Sequence, residues 1–158
     1  PYSNALKYFP DYLQQLICES NGKSVDLSGN KLPYDTSPAI MMGIGTNAQH
    51  SIFQQFYEGS QTIPVTFIGI KNNDFLNRHL VANATALFKQ NRPSTILMLR
   101  DLSAYSIGNL ISFYENMVLY EGLLWGINSF DQPGIELSKR LLKYPDEIVD
   151  KLYMQISR

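Results

Sequence analysis

The chain has 158 residues, enough for one domain with a genuine hydrophobic core and too few for several. It is 44% hydrophobic and 17% charged with a net charge of −1, a balance that offers no footing to nucleic acid or to an anionic membrane surface. A single cysteine, Cys18, rules out an internal disulfide and fits a reducing, cytoplasmic setting. No apolar run reaches the roughly 18 residues of a membrane span. The first residue is Pro1 rather than Met, so the chain is expected to be part of something longer.

In chain order, residues 11–19 read as a helix, with Asp11 as N-cap after Pro10 and Tyr12, Leu13, Leu16 and Ile17 on one face. Ser20-Asn21-Gly22 stops it. Residues 23–37, rich in Ser, Thr, Asn, Asp, Gly and Pro, form a loop or a short hairpin arm. Residues 39–42 are a first buried strand, and 47–58 the helix that follows it. The run 63–70 (IPVTFIGI) is the best strand, and 94–99 (STILML) is another. Helices are expected over 73–90, 104–126, 131–143 and 145–157. The 104–126 helix is apolar enough to be central or to lie at a subunit interface, and Asp131 with Pro133 opens the next. Short apolar strands separated by helices predict an α/β fold: three strands and six helices, with a mainly parallel sheet covered on both faces.

Chemistry gathers at the turn Met42-Gly43-Ile44-Gly45-Thr46-Asn47-Ala48-Gln49-His50. Glycines feed a helix capped by Thr46 or Asn47, a place suited to an anion or polar ligand. His50 falls about one turn inside that helix, where the dipole favours the neutral imidazole. The same glycines match the dinucleotide pattern G-x-G-x-x-A, which raises a nicotinamide oxidoreductase as an alternative. Against it, the next strand ends Gly69-Ile70-Lys71-Asn72 without the acidic residue that would hold the ribose. Gly22-Lys23-Ser24 lacks the earlier glycine of a P-loop, because Ile17 stands there. Neither His50 nor His79 has a partner at metal-ligand spacing, and His79 is read as structural. Asn83-Ala84-Thr85 fits a glycosylation acceptor by coincidence within a helix.

Glu19 ends its helix, where the dipole disfavours an anion, an arrangement that suits carbon-acid proton transfer. Gln15 lies one turn before it on the same face. Gln132 and Lys139 are two turns apart and share a face of the 131–143 helix. A solvated polar face is the bland reading of each pair, and local physics alone does not make them converge.

Three segments stand out: Glu19-Ser20-Asn21-Gly22-Lys23, Gly45-Thr46-Asn47-Ala48-Gln49-His50, and the long stretch from Ile127 to Lys139 (INSFDQPGIELSK). In these segments and in their order the chain resembles the glucose-6-phosphate isomerase family. Leu80 to Leu87 is a weaker echo. The resemblance covers most of the chain but only the C-terminal portion of a family member. It implies a three-layer sugar-isomerase domain and interconversion of glucose 6-phosphate and fructose 6-phosphate through a cis-enediol, a step of glycolysis and gluconeogenesis, without cofactor or metal. It implies that Glu19 is the base moving a proton between C1 and C2, that His50 opens the sugar ring, that Lys139 assists at the ring oxygen, and that Gln15 and Gln132 hold the substrate. It also implies a homodimer in which His50 serves the neighbouring subunit's site. Two departures stand out: Met42-Gly43-Ile44-Gly45 lacks the family's acidic turn residue, and Pro133 replaces a common aromatic. The family's Ser/Thr-rich phosphate loop and active-site arginine lie upstream of this stretch, so the chain alone is expected to be inactive or weakly active. A sugar-phosphate-binding module without turnover is the remaining alternative.

Overall fold

In the computed structural model the backbone is described for residues 1–143 and 147–156. A 3-10 turn over Asn4–Leu6 leads into α1 (Phe9–Asn21). Then come α2 (Gly45–Ala48), α3 (Phe53–Glu58), β1 (Val65–Ile70), α4 (Asp74–Lys89), β2 (Ser94–Leu99), α5 (Ala104–Trp125), α6 (Pro133–Lys143) and α7 (Glu147–Ile156). The predicted limits of the last helix, 145 and 157, lie outside the described residues.

The strands β1 and β2 pair in parallel, from Val65 against Ser94 to Ile70 against Leu99. Successive side chains of a strand point to opposite faces. Phe67 therefore enters a cluster with Tyr2, Phe53, Phe56, Leu80 and Leu87 beneath α3 and α4. Ile68 and Ile70 enter the other, with Leu13 and Ile17 of α1 and Leu110, Tyr114 and Val118 of α5. The sheet is thus covered on both faces, and the predicted three-layer α/β architecture is the one observed.

Two predicted elements differ. The strand at 39–42 is absent: that stretch is irregular, and the described residues hold a two-stranded sheet. Apolar character alone does not make a strand, which also needs a backbone ladder. On the side of β1 away from β2, the Ile68 carbonyl accepts from the Tyr2 amide at 2.7 Å. Ile40 and Met42 serve the core by packing side chains against the α1–α5 cluster. Pro38 before them and Gly43 after them punctuate the run.

The helix predicted over 47–58 is broken into α2 and α3 by a turn at 49–52. There the His50 amide bonds to the Asn47 carbonyl at 3.1 Å and the Ser51 amide to that of Ala48 at 3.1 Å, three residues back rather than four. The Ser51 hydroxyl also donates to the Ala48 carbonyl at 3.2 Å, competing locally with helix continuation.

Helix starts follow their side chains unevenly. Asn73 caps α4 by accepting from the Leu76 amide, and Ser103 caps α5 by accepting from the Ser106 amide. Asp11 is no cap: α1 begins at Phe9, so Asp11 lies in its first turn. Thr46 and Asn47 are no caps either, because α2 follows Ile44 without a side-chain cap. The 23–37 arm is a small hairpin closed by one antiparallel bridge, Val25 to Lys31.

Candidate active site

Glu19 is in the last turn of α1, on the face toward the start of α6. Its Oε2 accepts from Gln15 Nε2 at 3.3 Å and from Gln132 Nε2 at 3.0 Å. Three residues singled out from the sequence thereby meet at one carboxylate oxygen, across more than a hundred positions of chain. Gln15 and Gln132 are exposed and Glu19 is half-buried, so the cluster faces solvent.

The approach of Gln132 to Glu19 is fixed from below. Asn21, fully buried, donates from Nδ2 to the Val118 carbonyl at 3.0 Å and to Glu121 Oε2 at 3.3 Å. Its Oδ1 accepts from the Ser129 hydroxyl at 2.6 Å. One amide thus ties the end of α1 to α5 and to the turn before α6. The tie depends on Gly122: a Cβ there would stand 2.0 Å from Ser129 Oγ. Glycine is the residue that lets this backbone pass so close.

The entry into α6 differs from the expectation at one residue. Gln132 precedes the helix, and its carbonyl accepts from the Ile135 and Glu136 amides at 3.1 and 3.2 Å. Asp131, expected as the cap, stands one position further back and accepts from Asn128 Nδ2 at 2.9 Å. Pro133 occupies the first helical position, where its missing N–H costs nothing. Lys139 does not reach the carboxylate cluster through any described hydrogen bond. Its ammonium pairs with Glu136 Oε1 at 2.8 Å, and both side chains are mostly exposed. That lysine and Arg140 hold the Glu136 carboxyl below the usual carboxylate range.

His50 sits in the 49–52 turn and is exposed, and its ring makes no hydrogen bond to the described residues. No long helix begins there, so His50 does not stand at the positive end of a helix dipole as expected. Its neighbour Gln49 is anchored: Nε2 donates to Asn83 Oδ1 at 2.9 Å, and Tyr57 donates to the same oxygen at 2.5 Å. Asn83 Nδ2 in turn donates to the Tyr2 hydroxyl at 2.9 Å and to the His79 carbonyl at 2.7 Å. Burial pushes the Tyr2 phenol up to about 12, so it stays a neutral partner. Asn83 is buried, which keeps it from serving as a glycosylation acceptor in the folded chain. Gly45 closes the same turn over the Tyr2 ring, 2.5 Å from where a Cβ would be. The dinucleotide pattern therefore lacks the strand it requires and packs its glycine against an aromatic ring.

An apolar cavity of about 540 Å³ lies between the core clusters, lined by Phe9, Ile17, Met42, Ile52 and Phe67 among others. None of the predicted site residues lines it, and its walls do not suit a phosphorylated sugar. Among the described residues no group of three or more His, Cys, Asp or Glu is placed to hold a metal ion. No helix among them is long and apolar enough to cross a membrane.

The model of the phosphoglucose isomerase family matches residues 1–86 and 72–155. The chain belongs to the phosphoglucose isomerase family. A glucose-6-phosphate isomerase of Polaromonas naphthalenivorans (strain CJ2) is 44% identical over 163 residues, covering 90% of this chain and 31% of the relative. One from Chlamydia pneumoniae is 40% identical over 176 residues, covering 95% of this chain and 34% of that one. The crystal structure of a glucose-6-phosphate isomerase from Chlamydia trachomatis D/UW-3/Cx superposes with a TM-score of 0.86 at 34% identity, over 99% of this chain and 37% of that one. The chain spans about a third of the length of the curated relatives it matches.

Lys23, Asn21, Ser129 and Asn83 support the site without being among its predicted residues. A signal for Lys23 existed: a lysine just past a helix end is able to bond the last carbonyls. For Asn21, Ser129 and Asn83 no local signal exists, because their partners are remote in sequence.

Proposed function

We propose that this chain is the C-terminal sugar-isomerase portion of an enzyme that interconverts glucose 6-phosphate and fructose 6-phosphate. The observation that carries the reading is Gln132 of the long family-specific segment donating to Glu19 of the first, at 3.0 Å. In this mechanism Glu19 takes the proton from C2 of the open-chain aldose while O1 gains a proton, leaving a cis-enediol, and returns the proton at C1 while O2 gives its own up, so that the ketone forms at C2. The reverse reaction begins at C1. A carboxylate beside adjacent carbons suits such a shuttle, since one group serves as base and then as acid. Gln15 and Gln132 orient the carboxylate in the free site and hold substrate hydroxyls in the bound one. His50 moves the proton that opens the ring, and Lys139 leaves Glu136 to assist at the ring oxygen.

The exposure of His50 and the independent anchoring of its turn favour a division between copies of the chain. His50 of one subunit completes the site built on Glu19 of its partner in a homodimer. The remaining segments of the enzyme supply the phosphate-binding groups, and the enzyme works in the cytoplasm.

A coupled assay tests the reading. The full-length protein carrying these residues converts fructose 6-phosphate to glucose 6-phosphate, and the isolated 158-residue chain shows little or no turnover. Substrate binding by the full-length protein without turnover would instead identify a sugar-phosphate-binding module.

A further inference from the structure

Two groups outside the assigned catalytic set hold Glu19 and Gln132 together from behind. Lys23 follows the end of α1, and its side chain is only 7% exposed. Its ammonium donates to the Glu19 carbonyl at 2.8 Å and to the Ser20 carbonyl at 2.7 Å. It also stands 3.7 Å from Oδ1 of Asp131. The other oxygen of Asp131 accepts from Asn128, and Asp131 is bonded through the chain to Gln132. The result is a closed ring. It runs from the Glu19 backbone through Lys23 and Asp131 to Gln132, and back through the Gln132 amide to the Glu19 carboxylate.

Each link has a physical reason. The last turn of a helix leaves carbonyls without intrahelical partners, and an ammonium has three donors to offer them. A cation at that end also offsets the negative pole of the helix dipole. A lysine taken out of water requires partners, and here the two carbonyls and a carboxylate provide them. The segment from Gly22 to Lys23 is held in turn by the Thr36 hydroxyl, which accepts from the Lys23 amide at 3.2 Å and donates to the Lys23 carbonyl at 2.6 Å. The ammonium is therefore aimed by its own backbone rather than by a free side chain.

We propose that Lys23 and Asp131 are positioning residues for the isomerisation, keeping the Glu19 carboxylate and the Gln132 amide in register. The inference rests on the isomerase reading above. Neither residue touches substrate. They act through the backbone of the residue that moves the proton and of the residue that orients it. Because proton transfer depends steeply on geometry while binding is spread over many groups, the effect falls on kcat.

The test uses the full-length protein and the variants Lys23→Met and Asp131→Asn. Each lowers kcat about 10- to 100-fold and changes KM by less than about threefold. The double variant loses no more than the worse single, since both break one tie. Gln132→Ala costs less in the Lys23→Met background than in the wild type, for the same reason. Leu110→Ala, a core truncation away from the ring, provides a variant that loses stability and retains its kcat well below its melting temperature. Should Lys23→Met fail to fold, Asp131→Asn carries the test alone, because Asp131 is 49% exposed and outside the core. A wild type without isomerase activity overturns the isomerase reading and this inference with it. An active wild type whose two variants keep their kcat, or lose activity only in proportion to melting temperature as Leu110→Ala does, overturns the inference alone.

Discussion

Glu19 is oriented by side chains that differ in how they are held. Gln15 reaches it along one helix face, a contact any solvated pair at this spacing makes. Gln132 reaches it from another part of the chain, and that contact exists because Asn21 holds the intervening turn. Asn21 is therefore the residue on which the local geometry depends most. Asn21→Ala leaves the Ser129 hydroxyl without its partner and the Val118 carbonyl with its bond inside α5 alone, at a cost of roughly 2 kcal/mol. Urea unfolding of the variant shows a lower midpoint with an unchanged slope. Isosteric Asn21→Leu fares no better, because it too has neither the amide donor nor the acceptor that Ser129 uses. Much of this residue-level picture was legible from the sequence: Glu19, Gln15 and Gln132 were singled out from helix position and family resemblance, and they do converge. Asn21 was not legible, since nothing local marks an amide whose partners are a carbonyl on α5 and a hydroxyl before α6.

At the scale of elements, the helices and the two paired strands follow the apolar pattern closely, with β2 agreeing at both ends. The pattern failed where apolarity and hydrogen bonding part company. Ile40 and Met42 look like a strand and act as packing, and His50 looks helical and sits in a turn of three-residue bonds. The start of α5 shows the opposite case, where side chains decide the boundary. Asp101 accepts from the hydroxyls of Ser103 and Ser106 at 2.5 and 2.6 Å and from the Ser103 amide at 3.0 Å. These donors, the Ser103 hydroxyl foremost, hold its carboxyl far below the usual range. A carboxyl depressed in the folded state adds stability that is present above the unfolded value of about 3.9 and fades as pH falls toward the folded value. Asp101→Asn is therefore less stable than the wild type at neutral pH. Thermal melts across pH show the two proteins drawing together below about pH 4. A difference that persisted undiminished in acid would assign the effect to packing instead.

At the scale of the whole molecule, the chain offers Glu19 and His50 on two separately anchored pieces. One rests on Asn21 and α5, the other on Asn83 and α4. The proposed homodimer brings one of each together from different copies. Full-length Glu19→Gln and His50→Ala proteins are each expected to be nearly inactive. Unfolded together and refolded in equal amounts, they regain about a quarter of the wild-type activity, because half the dimers are mixed and each holds one intact site. Recovery would be absent if both residues came from one subunit. The proposed transfer of a proton between C1 and C2 by Glu19 is read by solvent exchange. In heavy water the wild-type full-length protein exchanges the substrate's C2 hydrogen for deuterium, followed by nuclear magnetic resonance. Glu19→Gln, folded and still able to bind substrate, loses that exchange; exchange retained at the wild-type rate would rule Glu19 out as the base.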